Sequence, residues 1–298
     1  LITGRWQAGL ALSLLTTMLW GSLPVALKSL LATMSPLTIS WYRYVISTLI
    51  LTAFLFARGQ MPAAHRLWAL KALLTGAVLS FAGNNVLFAA GLKYLGPSAA
   101  EVVIQLAPLL LIVAGVLFFH ERFGLWQWIG VAGLLGGMAL FFHRNLAASL
   151  VSPGVVLILV SSVLWTAYAM AQKQLLASLS SLAIVWAAYG CGALLLLPAA
   201  QPSQVSTLDG AGWVFLIYCG LNSVVAYGSF AEAMSHWEVS RVSAVLATTP
   251  LFTPVFAELA ARLWPHRFAH EGLDWLQIAG GVLVAGGSIL AALARNDK

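Results

Sequence analysis

The stretch VLWTAYAMAQKQLLASLSS at residues 163–181 reads alone as one apolar helix, but residues 18–36 already hold MLWGSLPVALKSLLATMSP. Trp20 and Trp165, Ala26 and Ala171, Lys28 and Lys173, and Ser35 and Ser180 all stand 145 residues apart. The register continues through Leu37/Leu182, Ile39/Ile184, Trp41/Trp186 and Tyr44/Tyr189. Further along it tightens to 142 (Phe88/Phe230, Ser98/Ser240, Pro108/Pro250) and then widens to 150 (His120-Glu121/His270-Glu271, Gln127/Gln277, Gly130/Gly280, Gly136-Gly137/Gly286-Gly287). One unit of about half the chain is therefore written twice, which divides it into residues 1–145 and 146–298.

Composition identifies the solvent. Hydrophobic residues make up 61% of the 298 and charged residues 8%, with a mean hydropathy of +0.91. Soluble domains carry about 25% charged residues, so the medium is a lipid bilayer. The net charge of +6 does not indicate nucleic acid, because the fifteen Lys and Arg are scattered at span ends. Cys191 and Cys219 lie in apolar runs and read as small core residues. The first apolar run is long enough to act as a retained membrane anchor.

A membrane-crossing helix needs about 20 mostly apolar residues. Ten segments meet that, near 9–31, 37–57, 69–92, 98–119, 124–142, 153–175, 182–200, 211–235, 240–262 and 274–294. They are separated by turn or charge signals such as Ser35-Pro36, Gly96-Pro97 and Ser152-Pro153. The expected fold is an all-α integral membrane protein of ten transmembrane helices. Each copy holds five spans, an odd number, so the second must enter the membrane inverted. Inverted repeats are an architecture of secondary transporters, with the substrate near midplane where the halves meet. Placing both termini in the cytoplasm puts nine Lys and Arg inside and six outside, the bias expected for inner-side loops.

Ten spans in a 5+5 inverted repeat, with Pro108, Glu121, Gln127, Gly130 and Gly136 answered by Pro250, Glu271, Gln277, Gly280 and Gly286, resemble the EamA family of the drug/metabolite transporter superfamily. Leu19-Trp20, Glu101-Val102 and Trp165 to Tyr168 followed by Lys173 are similar to the YddG-type aromatic amino-acid exporters. The resemblance implies export of amino acids or related metabolites across a bacterial-type inner membrane, with a central cavity lined by spans 1, 3, 4, 6, 8 and 9. The partners it implies are a small-molecule substrate and the bilayer. The chain reads as a monomer, with a homodimer as the alternative.

Several side chains invite a functional reading. Trp20 and Trp165 lie near midspan rather than in an interfacial belt, where an indole N–H needs a partner or a polar cavity. They read either as core packing between the repeats or as facing walls of a site, with Tyr168 and Gln172 on the same face of span 6. Phe81, Asn84, Asn85 and Phe88 share a face of span 3; two amides at that depth must face protein or water. Tyr227 and Ser223 hold the corresponding places in span 8. Glu101, Gln105 and Pro108 line one stripe of span 4, with Thr248 and Pro250 answering in span 9, the prolines acting as static kinks or hinges. Lys28 and Lys173 either snorkel or gate. A gate would set Lys28 against Glu101, with Arg43 as rival, at the outer mouth, and Lys173 against Glu232 or Glu238 at the inner one. The glycines of spans 5 and 10, seven apart, suit a close seam between the halves.

Other classes lack their chemistry. His120-Glu121 and His270-Glu271 have no second histidine at the spacing of a zinc protease. There is no nucleophile elbow and no phosphate-binding loop, so an enzyme and a bound cofactor are not expected. Aromatic cations are the alternative substrate class for the same fold.

Overall fold

The computed structural model describes residues 5–107, 109–110, 124–144, 151–237 and 239–293. Twelve α-helices lie in these residues: α1 Trp6–Leu30, α2 Pro36–Ala57, α3 Ala64–Ala69, α4 Lys71–Leu92, α5 Pro97–Ile104, α6 Leu125–Phe141, α7 Pro153–Leu175, α8 Ser181–Leu196, α9 Gly210–His236, α10 Val239–Leu246, α11 Thr249–Leu263 and α12 Trp275–Leu293. Among the described residues there is no strand. Seven segments are long and apolar enough to cross a bilayer, one of them running from Ala244 through α10 and α11 to Leu263, while α6 and α12 supply shorter apolar helices. The expected span at 98–119 is described only in its first part, with Pro108, Glu121 and Glu238 outside the described residues.

The repeated words are largely helix punctuation. Ser35 and Ser180, 145 apart, cap α2 and α8, each accepting a backbone N–H from three residues on. Lys28 and Lys173 stand in the last turns of α1 and α7, where the helix dipole favours a cation. Gln127 and Gln277 accept the backbone N–H of Gly124 and Asp274 at the starts of α6 and α12, the reciprocal half of a capping box. Pro36, Pro97 and Pro153 open helices where a missing N–H costs nothing.

Burial is inverted relative to a water-soluble protein. Phe56, Leu125, Val214 and Val255 are exposed, while Ser13, Thr16, Thr17, Ser47, Ser161, Ser162 and Thr253 are fully buried. Most of these hydroxyls return to carbonyls four residues back, as Thr17 does to Ser13 and Ser162 to Ile158, which satisfies them without water.

The helices pair across the repeat. The most extensive contacts are α6 with α12, α4 with α7, α1 with α9, and α2 with α8. Exchanging the two copies maps α1 onto α7 and α9 onto α4, so two of these pairings interchange and the other two map onto themselves. Detail follows the same operation: Ser161 Oγ donates to the Asn84 carbonyl at 3.0 Å, and the equivalent Thr16 Oγ1 reaches the Ala226 carbonyl at 3.4 Å. Gly130, Gly137, Gly280 and Gly287 form the α6–α12 seam, each so close that an added Cβ would meet the partner's backbone.

Candidate functional site

Phe81, at the middle of α4, is the hub of an aromatic cluster. Its ring lies 4.7 Å from Tyr168 of α7, 5.5 Å from Tyr44 of α2, 5.2 Å from Tyr189 of α8 and 6.0 Å from Tyr227 of α9, centroid to centroid. The repeat mates Tyr44 and Tyr189 touch each other at 5.2 Å, so the cluster sits where the copies cross. Tyr227 extends it to Trp20 at 5.5 Å, and Phe230 joins Trp20 at 5.8 Å. Trp165 lies close enough to the Tyr227 hydroxyl to act on it, so both midspan tryptophans neighbour Tyr227.

Polar atoms lie inside this apolar shell. Tyr44 donates to the Phe81 carbonyl at 3.1 Å, whereas the buried Tyr168 hydroxyl has no partner. Arg43 is 3% exposed; its Nη2 donates to Ser223 Oγ at 3.1 Å and its buried Nε has no partner. Its place six residues into span 2 suggested a pairing with Glu101, in rivalry with Lys28, and no such ion pair forms among the described residues. The packing of α9 on α2 places Ser223 and Gly220 against that face instead.

The remaining expected residues separate. Asn84 is an interhelical clasp, its amide donating to the Ser161 carbonyl at 3.1 Å and hydroxyl at 2.8 Å. Half-buried Asn85 bonds within its own helix, to the Phe81 carbonyl at 3.0 Å. Phe88 packs into a neighbouring apolar cluster with Leu27, Leu30 and Ile158. Glu101 and Gln105 are buried on span 4, and Glu101 falls in the second turn of α5 rather than at its dipole end. That end is occupied by Glu271, which accepts from the Ser98 backbone N–H at 3.1 Å and from the Ser98 hydroxyl.

The pairing expected for Lys28 is corrected. Lys28 does not reach Glu101; it donates to the carbonyls of Leu92, Lys93 and Leu95 at 2.7, 3.2 and 2.9 Å. The Leu92 and Lys93 carbonyls, at the C-terminus and C-cap of α4, have no helical partner and carry its negative dipole end, and the Leu95 carbonyl in the following turn completes the set that holds the ammonium. At the opposite end of the bundle Lys173 is exposed and Glu232 pairs with His236 at 3.1 Å.

Span 9 is broken. α10 stops at Leu246 and α11 starts at Thr249, with Pro250 in its first turn. Thr248 Oγ1 accommodates the break by donating to the Val245 carbonyl at 2.6 Å. Span 4 shows the same interruption after Ile104. Discontinuous helices at midspan free backbone groups beside transporter sites.

Polar ties gather at the end where α1 terminates, most of them between the two copies. Besides Glu271 with Ser98, Arg144 meets Asp274 at 2.8 Å, Arg267 donates to Ser29 at 3.2 Å and pairs with Asp209, and Gln204 accepts from the Ser35 backbone at 2.8 Å. The Gln277 backbone N–H, with Arg144 and His143, holds the Asp274 carboxyl below the usual range. Beneath these ties lies a cavity of about 490 Å³ lined by Lys28, Lys93, Arg267, His270 and Glu271.

Sequence reasoning missed Tyr44 and Tyr189 as site residues. The signal was available, since a tyrosine repeated at the same place in both copies is a candidate for the crossing of the repeats; Tyr44 finds a partner for its hydroxyl there, while the buried Tyr189 hydroxyl does not.

A model of the EamA-like transporter family matches the chain twice, over residues 7–143 and 152–293. The chain belongs to the EamA-like transporter family. An EamA-family chain is a helical membrane protein, and the apolar outer surface described above fits that medium. An uncharacterized transporter of Haemophilus influenzae is 38% identical over 293 residues, covering 97% of this chain and 95% of that one. An uncharacterized inner membrane transporter of Escherichia coli K12, YhbE, is 35% identical over 297 residues, covering 97% and 92%. A solved crystal structure at 18% identity covers 95% of this chain and 96% of its own, with a TM-score of 0.65; that likeness bears on the fold alone.

Proposed function

We propose that this EamA-family transporter exports small metabolites, amino acids and aromatic ones foremost, across the inner membrane by alternating access. Ten spans in two inverted halves, 1–145 and 146–298, would rock about the crossing of the copies, with both termini in the cytoplasm. The observation that carries the reading is the buried Phe81–Tyr168–Tyr227 cluster with its tryptophans, a packed aromatic and hydroxyl-bearing core where the halves meet. Such a core suits a flat apolar side chain, and this is also what supports a YddG-type specificity. The ties around Glu271, Arg267 and Asp274 support an outer gate that is closed, and Lys173 and Glu232 stand at the end where the inner gate would form. The broken span 9 at Pro250 supports a hinge there.

Counterflow in proteoliposomes tests the reading. Labelled phenylalanine or tryptophan should exchange saturably, with threonine and methionine competing weakly and a viologen not at all. Tyr227→Ala and Trp20→Ala should each raise the half-saturating concentration about tenfold or more, the worth of one lost aromatic contact of about 1.5 kcal/mol. Viologen exchange without amino-acid exchange would replace the substrate class with aromatic cations.

A further inference from the structure

Arg43 poses a problem that the rest of the fold does not solve. A guanidinium stays charged at any physiological pH, and placing such a charge in a low-dielectric interior costs several kcal/mol unless an anion or a full set of hydrogen bonds offsets it. Arg43 is 3% exposed. Among the described residues no carboxylate lies within ion-pairing distance of it. The buried carboxyl of span 4, Glu101, pairs neither with Arg43 nor with any other described cation. The one described group bonded to the guanidinium is neutral, Ser223 of α9, and the other groups within its electrostatic reach, Cys219, Tyr227, Tyr189 and its chain neighbour Tyr44, are thiol and phenol groups rather than carboxylates. One N–H is bonded to a hydroxyl, and Nε is buried without an acceptor.

We infer that Arg43 is the carboxylate-binding residue of the transport site, so that the substrate is a monocarboxylate whose apolar or aromatic remainder lies against Phe81, Tyr168 and Tyr227. Three observations converge on that class. The planar guanidinium offers Nε and an Nη as a fork matched to two carboxylate oxygens. The described groups around it are donors and weak acceptors that cannot neutralise it, so a bound anion supplies what they leave out. The rings packed at 4.7–6.0 Å around Phe81 begin beside it through Tyr44 and Tyr189, which places a cation and an aromatic wall within one small molecule's reach. A cationic substrate would be repelled at the same place. The inference rests on the proposed amino-acid export in that both use this cluster, but its own content is the charge requirement.

Binding of three probes to the purified protein, read by equilibrium dialysis, separates the possibilities. The probes are phenylalanine, phenylacetate (no amine) and phenethylamine (no carboxylate), tested against the unmodified protein, Arg43→Lys and Arg43→Gln. The glutamine keeps a polar amide of shorter reach and removes the charge, while the lysine keeps the charge without the fork. The carboxylates should bind the unmodified protein and phenethylamine should not; affinity should fall about tenfold or more in Arg43→Gln, with partial retention in Arg43→Lys. Arg43-dependent binding of phenylacetate without phenylalanine would sustain the carboxylate site and overturn the amino-acid reading. Phenethylamine binding as well as phenylalanine, equal affinities in folded Arg43→Gln, or failure of both carboxylates to bind would overturn the assignment of Arg43. The probe series needs no variant, so a folding defect in Arg43→Gln leaves the inference open to refutation.

Discussion

Adjacent glycines in one helix should respond oppositely to the same substitution. A Cβ on Gly287 of α12 would stand 2.6 Å from the Gly130 carbonyl oxygen and 2.8 Å from the Gly133 carbonyl carbon, with the Leu134 nitrogen nearer still. All three are backbone atoms of α6, which no rotamer change moves aside. The helices must separate by several tenths of an ångström along their whole contact, which forfeits dispersion and carries an overpacking cost of about 1–3 kcal/mol. A Cβ on Gly286 meets nothing within 4 Å, so Gly286→Ala should gain about 0.5–1 kcal/mol from reduced backbone freedom. The two variants should therefore differ by roughly 1.5–4 kcal/mol. Thermal unfolding of the detergent-solubilised protein, followed by the loss of its monodisperse chromatographic peak, reads the difference directly. The melting order should be Gly286→Ala at or above the parent, with Gly287→Ala several degrees below. Gly280→Ala replicates the test, since its Cβ would lie 2.6 Å from the Phe141 nitrogen. Equal melting of Gly286→Ala and Gly287→Ala would show that the α6–α12 seam is not set by backbone approach.

Asn84→Ala should lower the melting temperature by the equivalent of about 1 kcal/mol, the scale of interhelical hydrogen bonds in bilayers, and leave the substrate ranking unchanged; a changed ranking in counterflow would return Asn84 to the site. Lys28→Glu combined with Glu101→Lys should not restore transport lost in either single variant, because the ammonium is anchored on α4 carbonyls; rescue would contradict that anchorage. Asp274, held below the ordinary value of 3.8 chiefly by the Gln277 N–H and then by Arg144 and His143, contributes stability that is complete above that value and is lost as pH falls through its lowered folded-state value. Melting should accordingly decline below about pH 4, and less steeply in Asp274→Asn; identical profiles would remove Asp274 from the ties that join the two copies.

Much of the frame was legible because repetition and helix punctuation are local. Ser35 and Ser180 cap helices, and Gly130 and Gly280 need a close neighbour wherever they fall, so both wrote the same signal twice. Side-chain partners were legible only when the alternatives were few. Asn84 and Asn85 looked equivalent in sequence, and the packing of α7 separated them by putting Ser161 against one and not the other. Lys28 was paired with Glu101 because an acid is visible in a sequence, whereas the carbonyls at the end of α4 are carried by every residue and announce nothing. Arg43 was set against Glu101 as the rival of Lys28, and no local pattern records that α9 would lie over it.

The departures from the repeat are as informative as the repeat. Trp20/Trp165, Tyr44/Tyr189 and the seam glycines occur in both copies and define the frame. Across the same register Arg43 becomes Ala188 and Glu101 becomes Ser243, and Ala188 is itself buried. A carrier that exposes one site alternately to two sides gains from a frame whose two halves pack alike, because similar contacts reform when the halves rock and neither state is strongly favoured. A substrate with a single charged group cannot be met by two equivalent cations without leaving one of them unpaired in the bilayer interior. The frame is thus free to be duplicated while the charge that meets the substrate must be single, and Arg43 at the crossing of the copies, facing Ser223 with no counterpart in the second half, satisfies that condition.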